Sequence, residues 1–323
     1  MIVTFLGTSS GMPTTRRNVS GLALRFIQSG RWWLFDCGEG TQHQIMHASL
    51  RVSQLDKIFI THLHGDHLYG LLGLLASRSL RGGATSSVTL YGPEGLQRYV
   101  ESIMAVSPVH LQYPLHIKTV SEGVVYQDEE ISVEAVPVRH RVPAFAYAVK
   151  EPERPGAFQA DRAKQLGVPP GPLFGQLKRG ETIWLPDGRK IEGKELVGPP
   201  VPGRKVVYTG DTEPCDAVIQ LARNADLLIH ESTYAHAELR LARRSAHSTA
   251  REAAEVARAA NARALILTHF SPRYENEEGL TLDDLLHEAR AIFPETMLAA
   301  DFLSYQVKRR RENDGDAGSE NLL

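Results

Sequence analysis

Residues 61–67, THLHGDH, follow the apolar run KIFI at 57–60 and place three histidines and an aspartate within six positions. The run reads as a buried strand. At a strand end, residues two apart point the same way, so His62 and His64 are expected to converge on one point. Asp66 and His67 are expected in the following turn, aimed at a neighbouring point. A lone histidine at a strand end is more often a hydrogen-bonded core or surface residue. Three crowded imidazoles are different: they repel when charged and gain nothing in packing, so a bound metal explains them better. Imidazoles with carboxylates suit zinc or manganese, whereas calcium takes all-oxygen cages.

Three further candidates close later strands: His140 in VPVRH, Asp211 in VVYTGDT and His269 in LILTHF. Taken alone, His140 and His269 would be ordinary hydrogen-bonded histidines; beside the cluster they become ligand candidates. Seven residues could then hold two ions. One ion takes His62, His64 and His140, the other takes Asp66, His67 and His269, and Asp211 bridges them. His43, His47, His110, His116, His236 and His287 read as structural or surface residues. Two ions about 3.5–4 Å apart generate hydroxide near neutral pH and clamp the attacking and leaving oxygens of an in-line displacement. That chemistry suits phosphodiesters, but also amides, lactams and thioesters, so the cage alone names no substrate.

The chain around this cluster has 323 residues, 42% hydrophobic and 23% charged, enough for one large domain or two ordinary ones. A net charge of −2 excludes a wholesale basic protein and confines any nucleic-acid contact to local patches. Two cysteines, Cys37 and Cys215, do not make a disulfide framework. The start lacks the basic segment of a signal peptide, and no apolar run approaches the roughly 20 residues that span a bilayer. A soluble cytoplasmic protein without membrane contact is expected.

Strands and helices alternate along the chain. GLALRFI and RWWLFD read as a hairpin, SVTLYGP and EISVEAVPVRH as strands, and STAREAAEVARAANA and TLDDLLHEARAIF as helices. Candidate ligands sit at C-terminal strand ends, where α/β sheets tend to carry their sites. Residues 151–202 break the pattern: they are rich in Gly and Pro with little periodicity, and read either as a functional insertion or as a partly ordered spacer. Low apolar content at 309–323 predicts a disordered tail.

The HxHxDH unit with its downstream His, Asp and His resembles the metallo-β-lactamase superfamily. LGTSSGMPTTRRNVSGLAL, FDCGEGTQHQI, TGDTEPC, LLIHEST, AHSTAREAAEVA and LTHFSPRY, in that order, resemble the short bacterial form of the ribonuclease Z family, the tRNA 3′-processing endonucleases. The resemblance runs from about residue 2 to residue 305. It implies a four-layer αβ/βα fold, two mixed sheets between helices, over residues 1–308 with 151–202 inserted as a flexible arm. It implies two Zn²⁺ per subunit, with Mn²⁺ or Co²⁺ as possible substitutes, held by His62, His64, Asp66, His67, His140, Asp211 and His269. Asp66 matches the general base, His247 the residue that protonates the leaving 3′ oxygen, and Glu231 the residue that orients it. Without the resemblance, His247 would read as capping the helix after it. Asp36 matches a structural aspartate behind the metal loop.

The arm segment PPGPLFGQLKRGE, with Lys178 and Arg179, resembles the family's exosite for precursor tRNA, which would contact phosphates without reading bases. In the family that arm serves the partner's active site, so a homodimer is implied. PTTRRN stands where many members carry Pro-x-Lys-x-Arg-Asn. Pro13, Arg17 and Asn18 match, Arg17 and Asn18 being expected to touch substrate, while Thr15 replaces the lysine. The expected activity is zinc-dependent removal of 3′ trailers, leaving a 3′-hydroxyl on the tRNA. A 3′-to-5′ exoribonuclease, a small-molecule phosphodiesterase and an inactive tRNA-binding protein are the rivals.

Overall fold

The computed structural model describes residues 1–80, 86–275 and 279–309. It divides into two compact units, one made of Met1–Asp128, Ser132–Val149 and Lys205–Lys308, the other of Glu129–Ile131 and Lys150–Arg204, with Arg309. Beyond Arg309, the expected tail lies outside the described residues.

In the larger unit the strands are β1 Ile2–Gly7, β2 Gly21–Arg25, β3 Trp32–Phe35, β4 Leu55–Phe59, β5 Val88–Gly92, β6 Leu115–Thr119, β7 Gly123–Gln127, β8 Ser132–Pro137 and β9 Phe145–Lys150. After β10 Thr182–Trp184 and β11 Lys190–Glu192 of the smaller unit come β12 Lys205–Tyr208, β13 Leu227–Glu231, β14 Leu265–Thr268, β15 Thr296–Leu298 and β16 Ser304–Gln306. One sheet has the order β16-β1-β2-β3-β4-β5-β6 and the other β15-β14-β13-β12-β9-β8-β7. Both are mixed. The expected hairpin is present, with Leu22 opposite Phe35, whereas β3 to β6 and β12 to β15 run parallel.

Parallel strands covered on both faces read as unbroken apolar runs, and WWLF in β3 and LILT in β14 are buried throughout. Helices Thr41–His47, Leu71–Leu80 and Leu96–Val106 lay Ile45, Leu71, Leu74, Leu75, Leu96 and Val100 against Leu34, Ile58 and Leu90 of the first sheet. Helices Asp216–Ala222, Ala250–Ala259 and Leu282–Arg290 pack with the second sheet and one another. Helix Ala250–Ala259 starts at a capping box, Thr249 with Glu252, and turns Ala253, Val256 and Ala257 inward.

Aromatic rings join the inner faces of the two sheets. Phe59 stacks between Phe35 and Tyr91 at 4.9 and 4.7 Å, and Tyr147 and Tyr208 reach across from the other sheet. Each buried ring stabilises the sandwich by about 1.5–3 kcal/mol. Tyr147 donates to the Ile60 carbonyl at 2.8 Å and Tyr208 to Asp36 at 3.0 Å, so this core also props the segment around residue 61. Substituting Phe for Tyr208 would leave the ring contacts but remove that support.

The smaller unit is more ordered than its composition suggests. Helices Ala160–Gln165 and Pro172–Lys178, the β10/β11 hairpin and a 3₁₀ turn at Gly193–Leu196 close around Ala163, Val168, Leu177, Ile183, Leu185, Ile191 and Leu196. The spacer reading of 151–202 therefore gives way to a folded module. Its periodicity is hidden because every element is short and is ended by Gly or Pro.

Candidate metal centre

The candidate ligands lie in loops just past strand ends. Strand β4 ends at Phe59, so the convergence of His62 and His64 is set by the loop after it, not by strand pleating as expected. His64 occupies the N-cap of helix Gly65–Leu68, and Asp66 and His67 lie in that helix, not in a plain turn. His140 and Asp211 follow β8 and β12 by three residues, and His269 directly follows β14.

Unusual backbone holds these loops. Asp36 and His269 have φ of 57° and 60°, which non-glycine residues adopt only when their surroundings enforce it. Gly210, at φ 58°, leads into Asp211, and a Cβ there would lie 2.7 Å from Thr61.

The structure brings all seven expected ligands into two groups that share Asp211. His62, His64, His140 and Asp211 form one, and Asp66, His67, Asp211 and His269 the other, with ligand atoms within 4.8 Å of one another in each. Asp211 splits its oxygens: Oδ2 faces His62 at 3.6 Å and His140 at 4.0 Å, while Oδ1 faces His67 and His269, each at 3.3 Å.

Outer partners decide which nitrogen each imidazole turns inward. His67 donates its Nδ1–H to Asp36 at 2.7 Å, and His140 its own to the Ala246 carbonyl at 2.9 Å. The Nδ1 of His62 meets the Thr61 hydroxyl at 3.0 Å, and that hydroxyl donates to Asp36. The Nε2 atoms of His62, His67 and His140 are thus turned inward. His62 Nε2 lies 3.0 Å from His64 Nδ1, and His67 Nε2 lies 3.3 Å from His269 Nε2. Asp211 Oδ1 is buried and has no hydrogen-bond partner. Imidazole nitrogens and carboxylate oxygens converging on two shared points fit cations, and an imidazole–carboxylate set fits a transition metal such as zinc.

Electrostatics agree. Burial opposes charge on Asp211, yet His269 and His67 hold its carboxyl well below the usual carboxylate range. Burial likewise works against charge on His67, but Asp211, Asp36 and Asp66 raise its pKa well above the ordinary value. The pocket attracts positive charge.

Beside the ligands stands a second pair. His247 donates its Nδ1–H to Glu231 Oε1 at 2.7 Å, and Nδ1 lies 4.0 Å from Asp211 Oδ2. Burial lowers the His247 pKa, but Glu231 outweighs it and raises it to about 9. Glu231 is fully buried and also accepts from Thr212 N at 3.0 Å and from the Thr233 hydroxyl at 2.7 Å. The capping reading of His247 is overturned: Thr249 caps the helix.

A beta-lactamase superfamily domain model matches residues 31–164 and 195–270. The chain is 66% identical over 314 residues to a ribonuclease Z of Brevibacillus brevis, covering 97% of this chain and 99% of that protein. The chain belongs to the ribonuclease Z family. It is an enzyme of the ribonuclease Z type, a phosphodiester hydrolase on the metallo-β-lactamase fold. A ribonuclease Z of Trichodesmium erythraeum is 54% identical over 312 residues, 97% of each chain. The crystal structure of the short form of human tRNase Z superposes with a TM-score of 0.68 at 30% identity, covering 95% of this chain and all of that one.

Against the family's substrate motifs, the structure gives Arg17 and Asn18 an inward task. Burial lowers the Arg17 pKa, and its guanidinium donates to Thr8 and the Ala299 carbonyl, both at 2.8 Å, pairs with Glu275 at 3.2 Å and lies over Phe270. Asn18 donates its side-chain N–H to the Glu39 carbonyl. Both tie down the loop they belong to. That loop delivers the Gly11 N–H to Asp66 Oδ2 at 2.9 Å. Arg16 beside them is exposed, as is Thr15. In the smaller unit Lys178 and Arg179 end helix Pro172–Lys178 on its exposed side, Arg179 pairing with Glu181 at 2.6 Å. Thr61, Tyr208, Thr212 and Thr233 support the site but escape sequence reasoning, which had only the adjacency of Glu231 and Thr233 in HEST to go on.

Proposed function

We propose that this enzyme removes 3′ trailers from precursor tRNA, leaving a 3′-hydroxyl on the tRNA and a 5′-phosphate on the trailer. The observation that carries the reading is the pair of ligand groups sharing Asp211, with the Glu231–His247 pair 4.0 Å from that bridge. The names of the bacterial relatives and of the human structure supply the substrate class. Two Zn²⁺ ions held by the seven ligands would supply Lewis acidity to the scissile phosphate and a water acidic enough to attack it. Mn²⁺ or Co²⁺ suit the same donors.

Asp66 serves as general base. Gly11 N–H donates to its Oδ2, His269 Nε2 lies 3.4 Å from the same oxygen, and the positive environment keeps the carboxyl ionised; burial opposes this, but His67 and His269 overcome it. As water attacks phosphorus, the bond to the 3′ oxygen breaks and that oxygen takes the proton from His247. Glu231 keeps His247 oriented through Nδ1, so the other ring nitrogen faces the reacting group. A cytoplasmic location fits this substrate; among the described residues no helix is long and apolar enough to cross a membrane.

A homodimer is part of the proposal. Helices Thr41–His47 and Leu71–Leu80 pack together, and Met46, Tyr69 and Leu80 on and between them are more than 60% exposed. Sedimentation equilibrium decides it: a monomer at micromolar concentration would remove this part of the reading.

Asp66→Ala tests the chemistry. Loss of a base that is also a ligand should lower turnover on end-labelled precursor tRNA by at least 10²-fold, with tRNA binding largely kept. Near-normal cleavage by this variant would refute the assignment. In the parent, activity lost to chelator and restored by Zn²⁺ or Mn²⁺ excludes a pure binding protein. Mapping the cut to the nucleotide on substrates with and without encoded CCA separates endonucleolytic cleavage from trimming.

A further inference from the structure

Thr233 stands between the two groups of side chains that the mechanism uses. It is 2% exposed, and its Oγ1 lies 2.7 Å from Glu231 Oε2 and 2.9 Å from His269 Nδ1. His247 Nδ1 is 3.3 Å away, but its proton is aimed at Glu231 Oε1 at 2.7 Å.

A hydroxyl has one proton to give. If Thr233 gave it to His269, the oxygen would turn a lone pair on the ionised Glu231 at 2.7 Å, and His269 would carry its own proton on Nε2, among the ligands. If Thr233 gives it to Glu231, the shortest contact becomes a charge-assisted hydrogen bond and the oxygen accepts from His269 Nδ1–H. His269 Nε2 is then bare where it faces Asp211 Oδ1 and His67 Nε2 at 3.3 Å. Only the second arrangement keeps a lone pair of Thr233 off the Glu231 carboxylate and leaves His269 Nε2, which also lies 3.4 Å from Asp66 Oδ2, free to bind a cation. It runs one way: His269 Nδ1–H to Thr233, Thr233 O–H to Glu231, with Glu231 taking the Nδ1–H of His247 on its other oxygen.

We propose that Thr233 is a positioning residue that fixes the metal-binding tautomer of His269 and the rotamer of Glu231 with a single hydroxyl, coupling one metal group to the proton donor. The inference rests on the two-metal reading above and deepens it. Thr61 repeats the device, holding His62 with its oxygen while donating to Asp36, but Thr61 serves ligands alone. At Thr233 the same hydroxyl also reaches the acid. Loss of the hydroxyl should therefore disturb two properties that a purely structural threonine would not link, the affinity for one ion and the dependence on the leaving group.

The test compares Thr233→Val, Thr233→Ala and Thr233→Ser with the parent in two measurements. Zn²⁺ titration in competition with a chromogenic chelator reads metal affinity without turnover. Cleavage of precursor tRNA, whose alkoxide leaving group needs a proton, is compared with that of bis(p-nitrophenyl) phosphate, whose leaving group does not, both at saturating Zn²⁺. Thr233→Val and Thr233→Ala are expected to bind one of two ions 10–100-fold more weakly, the range for loss of an outer partner of a ligating histidine. Their tRNA rate should fall at least tenfold further than their small-diester rate, and Thr233→Ser should restore both. If Thr233→Val fails to fold, Thr233→Ala answers alone. Parental Zn²⁺ affinity in the alanine variant, equal losses on both substrates, or failure of serine to rescue overturns the inference. A parent that binds no pair of Zn²⁺ ions would instead sink the reading on which it rests.

Discussion

His247 is useful only if it carries a proton at working pH, and its surroundings arrange that. Glu231 raises its pKa to about 9 against the opposing effect of burial. Because the folded value lies above the ordinary one, the paired, charged form stabilises the protein fully below pH about 6.5. That contribution is lost as pH rises through about 9. The same titration governs proton donation: bound cations draw the value down, so tRNA cleavage should decline on an alkaline limb at or below pH 9. His247→Gln is expected to lower the rate on precursor tRNA by about 10²–10⁴-fold and to abolish that limb. An unchanged limb in the variant, read from kcat against pH, would assign the ionisation to another group.

The loop at residues 8–18 shows the same economy at the level of an element. The Asp301 carboxylate accepts from the Thr8 hydroxyl at 2.7 Å, from Asn18 N at 2.7 Å and from the Gln44 amide at 2.8 Å. Arg17 adds its bonds to Thr8 and Ala299, and Phe270 exchanges backbone hydrogen bonds with Thr8 and Ser10. The loop is thus clamped between the C-terminal strands and the segment carrying His269, with Gly11 presented to Asp66. Asp301→Asn keeps an acceptor for Thr8 but places an amide against two donors. It should lower stability by about 1–3 kcal/mol in a urea titration and reduce turnover through the loosened Gly11 contact. Parental stability would mean that the clamp is held by Arg17 alone. This element also marks where the sequence stops being legible. The seven proposed ligands, which folding gathers into two groups, could be picked out from the density of the first four and from their places near strand ends. The inward turn of Arg17 could not, because its partners at Thr8, Ala299 and Glu275 share no spacing with it. Thr61, Tyr208 and Thr233 were hidden for the same reason: they work through contacts made by folding. The hairpin and the long helices were visible in their periods, whereas the short elements of 151–202 hold no more than seven residues each and show none.

Over the whole molecule, charge is distributed along the chain in a way the total conceals. Lys150–Arg204 carries ten lysines and arginines against seven acids, a net +3, so with −2 overall the remainder carries −5. A neutral protein can therefore hold polyanionic RNA by one local patch, while the acidic remainder discourages indiscriminate binding. The bridges Arg154–Val201 and Phe158–Val197 lie outside residues 160–190, so excising that stretch leaves paired ends for a short linker to join. The larger unit keeps every proposed metal ligand. Removing 160–190 should weaken precursor-tRNA binding at least tenfold while sparing hydrolysis of bis(p-nitrophenyl) phosphate within about twofold. The finer variant Lys178→Gln/Arg179→Gln should flatten the slope of log affinity against log salt by about one for each cation that touches a phosphate. Arg179 must first leave Glu181, an exposed pair whose separation costs little. Equal losses on both substrates, or an unchanged salt slope, would place tRNA binding on the larger unit and leave residues 150–204 without that role.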